Sequence, residues 1–187
     1  YNLPYNIVGL QYLNYERSKF SKSKGHGIFC ENLPSAGLNV DYWRFYLSFV
    51  IPETNDTEFL WKDFQNRINS DLIGNFSNFI NRTLSFAWKN FNGKINGKID
   101  KKFYKETISK TKEIIDLYER VELKETLEKI LKLSDFGNKY FQEREPWKKK
   151  DKNVIFNCAN LCKSLALLIN PFLPDTSSEI LKLLNCK

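Results

Sequence analysis

The chain has 187 residues, 42% of them apolar and 15% aromatic, which is enough to build a buried core and excludes a disordered segment. Its formal net charge of +7, carried mostly by lysine, fits either attraction to a polyanion or a well-solvated helix surface. No apolar run reaches the roughly 20 residues that span a bilayer. No basic-then-apolar leader opens the chain, and Cys30, Cys158, Cys162 and Cys186 form no CxxC pair, so a reducing, cytoplasmic setting without membrane or metal is expected.

In chain order, the β-branched and aromatic residues from Ile7 to Tyr15 predict a strand, which leads into a polar Ser/Lys/Gly loop from Glu16 to Gly25. Asp41 is the expected cap of a short helix over Tyr42 to Val50 that Pro52 stops. From Asp56 the pattern is helical throughout. Within the stretch from Phe59 to Phe91, Leu72, Phe76, Phe79, Ile80, Thr83 and Ala87 share an apolar stripe, while Asp71, Asn75, Asn78, Arg82 and Lys89 fall opposite.

Phe103, Thr107, Ile108, Thr111, Ile114, Ile115 and Tyr118 mark the next amphipathic helix, and Leu123, Leu127, Ile130, Leu131, Ser134 and Gly137 its antiparallel neighbour, ended by Pro146. Val154 to Ile169 is apolar nearly all round and predicts a central helix, with Cys158 and Cys162 as buried thiols. Thr176 and Glu179 have the spacing of a capping box for a last helix. The composition is that of a mainly α bundle behind a small α+β segment, with a boundary near Pro52 to Asn55.

The sharpest motif is Lys19-Phe20-Ser21-Lys22-Ser23-Lys24-Gly25. It resembles the KMSKS loop of class I aminoacyl-tRNA synthetases, and its flanks, YLNYERSKFSKSKGHGIF, look like the methionyl-tRNA synthetases of the eukaryotic and archaeal type. Amino-acid activation puts negative charge on a departing pyrophosphate, which ammonium groups on a mobile loop stabilise best in the transition state. The resemblance implies ATP contacts from Lys19, Ser21, Lys22 and Ser23, with Lys19 and Lys22 catalytic and Lys22 nearest the triphosphate. The family's His-x-Gly-His partner motif cannot be present, because His26 is the only histidine. His26 itself is expected in an ordinary turn. The methionine pocket and any zinc insert are missing as well, so the piece alone is expected to be inactive.

The resemblance runs on through DYWRFYLSF, with Asp41, Arg44, Tyr46 and Leu47, then FLWKDFQNRINSDLIGNFSNFINR, GNKYFQEREPW and LLINPFLPDTSSEI. It implies a helical anticodon-binding domain at 55–187, behind 1–54 as the end of a Rossmann-type catalytic core with its stem-contact segment. In this family an Asn and an Arg one turn apart, and a Trp after a Pro, read the CAU anticodon, which carries over to Asn78, Arg82 and Trp147. Single-stranded bases are read by stacking and by edge hydrogen bonds, so these residue types suit the task. Trp61 and Trp88 are expected to pack, and Lys148, Lys149 and Lys150 to meet phosphates without sequence preference.

The implied function is the ATP- and Mg2+-dependent attachment of methionine to tRNA(Met) by a longer protein, of which this chain, opening on Tyr1 and lacking methionine, is expected to be a piece. A synthetase of the leucyl, isoleucyl, valyl or cysteinyl group is one alternative, and a noncatalytic helical RNA-binding module or adaptor another. Oligomeric state is not legible.

Overall fold

The structure, a computed structural model, describes residues 3–4 and 7–185; Cys186 lies outside them. Strand β1 (Leu13–Tyr15) pairs in parallel with β2 (Thr57–Phe59), Leu13 opposite Thr57 and Tyr15 opposite Phe59. The predicted strand from Ile7 is thus mostly not a strand. A strand needs a partner to satisfy its backbone, and β2 offers only three residues, leaving Ile7, Val8 and Leu10 exposed.

Helix α1 (Val40–Phe49) starts two residues earlier than expected, and its cap is Asn39, whose side chain accepts from the Asp41 amide. Asp41 has a different job. It is 1% exposed, and its Oδ2 accepts from the Thr176 amide at 2.7 Å and the Thr176 hydroxyl at 2.6 Å. Thr176 sits in the first turn of α8 (Pro174–Leu183), so that helix is capped from α1 and not by a local Thr–Glu box. Arg44 adds bonds to the carbonyls of Phe172 and Pro171, 3.0 and 2.6 Å, and ties the same turn to α1.

The long helical stretch is interrupted. Helix α2 (Trp61–Arg67) passes into a π-helical segment, Ile68–Ser77, before α3 (Asn78–Phe91). The buried residues Phe64, Ile68, Leu72, Phe76 and Ile80 recur at strict four-residue steps. In an α-helix each such step drifts about 40° round the axis, enough over this run to leave the core. The wider i→i+5 winding takes up that drift and keeps the stripe facing inward. Asn75 and Asn138 secure the segment to the helix Leu123–Arg144: Asn75 donates to the Leu131 carbonyl at 3.1 Å, and Asn138 to the Asn75 carbonyl at 3.2 Å.

Helices α4 (Lys101–Glu119) and α5 (Leu123–Arg144) are antiparallel, with Phe103 stacked 3.9 Å from the Tyr140 ring at one end and Glu113 paired with Lys129 further along. The α4 stripe differs from expectation, since Ile108 and Ile115 are exposed and Leu117 is buried in their place. A short helix, α6 (Pro146–Lys149), then leads into α7 (Lys152–Ile169), capped by Asp151. Helix α7 is the central element, packed against α3, α4, α5 and α8, and Cys158 and Cys162 are buried in it as free thiols. Burial pushes the Cys162 thiol up to about 12. Every helix named here except α6 contributes to one continuous core around it, so the molecule is a mainly α bundle with a small two-stranded appendage.

Candidate functional site

The Lys/Ser loop projects directly from β1. Tyr15 and Ser18 exchange backbone hydrogen bonds at 2.8 and 3.0 Å across a tight turn in which Glu16 and Arg17 both have positive φ. A second rung closes the loop, where Ser21 and His26 exchange backbone bonds at 2.8 and 2.9 Å. Lys22 to Gly25 form the exposed tip, and Gly25, at φ 62°, makes the left-handed turn there.

His26 is not in an ordinary exposed turn. Its Nε2 lies 2.6 Å from the Ser18 hydroxyl and 3.0 Å from the Tyr15 carbonyl, and its ring meets the Tyr15 ring edge-on at 5.1 Å. A carbonyl can only accept, so the Tyr15 contact is a hydrogen bond in the tautomer that carries the proton on Nε2, while the Ser18 hydroxyl can serve either tautomer. Phe20 folds back over Gly27, whose φ of 141° favours glycine and where a Cβ would come within 2.4 Å of the ring and displace it. With its base locked, the loop presents its cations outward. Lys22 makes one loose contact, 3.8 Å to Glu31, with both side chains in water, and Lys19 lies 5.5 Å over the Tyr12 ring. Ser21 and Ser23 hydroxyls stand 3.3 Å apart beside them. Weakly paired ammonium groups and adjacent hydroxyls make a donor set that fits phosphate oxygens.

The second group of residues lies where α3, α5 and α6 meet. Asn78 is exposed and Arg82 half-buried on the polar side of α3, as the spacing predicts. The Arg82 guanidinium lies 4.7 Å over the Phe141 ring and donates from Nη2 to the Gln142 Oε1 at 3.1 Å. Asp71, a carboxylate on the same face, pairs instead with Arg67. Trp147 folds back from α6 with its ring 6.0 Å from that of Phe141, yet remains 41% exposed. It is held there because Glu145 ends α5 in the left-handed conformation and Pro146 is buried. Lys148 pairs with Glu145 at 2.7 Å, and Lys149 and Lys150 are exposed.

Trp61 packs by its ring against Trp43, Phe59 and Phe64, whereas Trp88, expected to pack, is 73% exposed. Sequence reasoning did not single out Phe141, Gln142, Tyr15 or Ser18. Phe141 carries only the signal of an apolar residue on a helix stripe, which any core residue shares.

A Lys/Ser loop rising from a strand and joined to a helical bundle with an Arg–aromatic face is the layout of the C-terminal part of a class I aminoacyl-tRNA synthetase. Residues 1–84 match the family model described as tRNA synthetases class I (M), and residues 91–187 match the anticodon binding domain of methionyl tRNA ligase. The chain belongs to the methionyl-tRNA ligase family.

A methionine–tRNA ligase of Borrelia turicatae is 46% identical over 181 residues, covering 93% of this chain and 25% of the relative. That of Treponema denticola is 37% identical over 193 residues, covering 94% and 24%. The chain thus spans about a quarter of the length of the curated relatives it matches. Mycobacterium tuberculosis methionyl-tRNA synthetase, solved in complex with methionyl-adenylate, superposes with a TM-score of 0.83 at 25% identity, covering 94% of this chain and 37% of that one. Among the described residues no helix is long and apolar enough to cross a membrane.

Proposed function

We propose that the full-length protein is a cytoplasmic methionine–tRNA ligase, which joins methionine to tRNA(Met) through a methionyl-adenylate made from ATP. In this reading residues 1–54 are the end of the catalytic core and 55–187 the anticodon-binding domain. Lys22 and Lys19 stabilise the departing pyrophosphate, and Ser21 and Ser23 donate to phosphate oxygens, acting where charge develops in the transition state. Magnesium would arrive with the nucleotide. Among the described residues no cluster of three or more His, Cys, Asp or Glu could hold a metal ion, and no step is assigned to it.

Asn78, Arg82 and Trp147 read the CAU anticodon, Trp147 by stacking on an unpaired base and the other two by hydrogen bonds to base edges. The observation that supports this is the convergence of Arg82 and Trp147, far apart in sequence, on one aromatic ring. The test is binding of anticodon stem-loops, CAU against a scrambled loop, to the full-length protein at moderate salt. Trp147→Ala should cost about tenfold to a hundredfold for CAU and little for the scrambled loop, since a base stacked on an aromatic is worth about 1–3 kcal/mol. Equal binding of both loops by the wild-type protein would sink the assignment and leave a basic helical surface.

A further inference from the structure

We propose that Phe141 is a positioning residue of the anticodon reader, a buried platform that fixes the Arg82 guanidinium and the Trp147 indole relative to each other before RNA arrives. The proposal rests on the reading above that Arg82 and Trp147 meet the CAU loop. Phe141 is 3% exposed and is not placed to touch RNA itself. Its ring nevertheless has two exposed-side neighbours of unlike kind: a cation at 4.7 Å from α3 and an indole at 6.0 Å from α6. Phe86 braces it edge-on from α3 at 6.2 Å.

A purely structural role at this position needs only apolar volume, which leucine also supplies. What leucine lacks is the negative π face that attracts a guanidinium and the aromatic ring against which the indole packs at a tilt of 32°. Arginine has a long side chain with much rotamer freedom, and binding RNA through an unrestrained arginine means ordering it at that moment. Here the ring holds the guanidinium at 4.7 Å, and the neighbouring Gln142 restrains it further by accepting from Nη2 at 3.1 Å. One of the five N–H groups is engaged by that bond, which leaves the other donors for a base edge. Phe141 thus acts through Arg82 and Trp147 by pre-organisation.

The test uses the full-length protein and labelled anticodon stem-loops, CAU and scrambled, with four proteins: wild type, Phe141→Leu, Arg82→Ala and the double variant. Phe141→Leu should weaken CAU binding about fivefold and leave the scrambled loop unchanged, as expected for a lost cation–π contact. In the Arg82→Ala background the same change should cost less than in the wild type, because the two act as a unit. Losses that multiply, or a Phe141→Leu protein that keeps the full CAU preference, overturn the proposal while leaving the anticodon reading intact. A wild type with no CAU preference overturns both. Should Phe141→Leu fail to fold by circular dichroism, 3,4,5-trifluorophenylalanine at 141 keeps the shape and weakens the π face, and an unchanged CAU affinity with that residue is equally fatal.

Discussion

Asp100 joins three helices through one carboxylate and one amide. Its Oδ1 caps α4, accepting from the amides of Lys102 and Phe103 at 3.1 Å each. Its Oδ2 accepts from the Tyr140 hydroxyl at 3.2 Å and from Arg144 at 3.0 Å, both on α5, and its own amide donates to Asn157 of α7. The Phe103 amide, with help from Tyr140 and Arg144, holds the carboxyl below its ordinary 3.8. Asp100→Ala should destabilise the chain by about 1–2 kcal/mol, the cost of a lost helix cap. Because the folded pKa is depressed, this stabilisation is present above the unfolded pKa and lost as pH falls through the folded one. Urea unfolding of wild type and Asp100→Ala at neutral pH and in acid should therefore show a gap that closes on acidification. A gap of constant size would remove the carboxylate from the explanation.

At the scale of elements, helices α3, α5 and α7 approach so closely that one position admits no side chain. A Cβ on Gly137 of α5 would lie 2.6 Å from Phe79 of α3 and 2.7 Å from Leu161 of α7, both in the core. Gly137→Ala would normally favour a helix. Here it should cost about 1–3 kcal/mol through overpacking, a sign reversal that thermal unfolding reads directly. Gly137 was legible only as one more small residue on a stripe.

The stripes of α3, α5 and α7 were legible because core-facing residues must recur at helical spacing, and the same spacing put Asn78 and Arg82 on the polar side. Three features were not, each for its own reason. Asp41 reads as a local cap because its real partner, Thr176, is 135 positions away. The strand from Ile7 looked longer than it is, because its length depends on a partner segment. Phe141 looked like ordinary core, since nothing local distinguishes a ring that packs from a ring that carries a cation.

Considered as a whole, the function proposed above gives the molecule two working ends on one scaffold, the loop rising from β1 and the face where α3, α5 and α6 meet. In the full-length protein the two should fail separately. Lys22→Ala should lower adenylate formation about a hundredfold, the scale of one lost charge-stabilising donor, and leave stem-loop affinity unchanged. Trp147→Ala should do the reverse, with pyrophosphate exchange near wild type. Loss of both activities in either variant would mean that the ends are not independent.

The π-helical segment Ile68–Ser77 lies between them, upstream of Asn78 and Arg82. Removing a single residue there, with the rest of the winding kept, would turn everything beyond it by roughly a quarter of a turn. The polar side of α3 would swing away from α5, and Arg82 from its ring. Substitutions in this stretch can be absorbed one side chain at a time, but its length cannot drift. Relatives that keep the face should differ here in spelling and not in the number of letters.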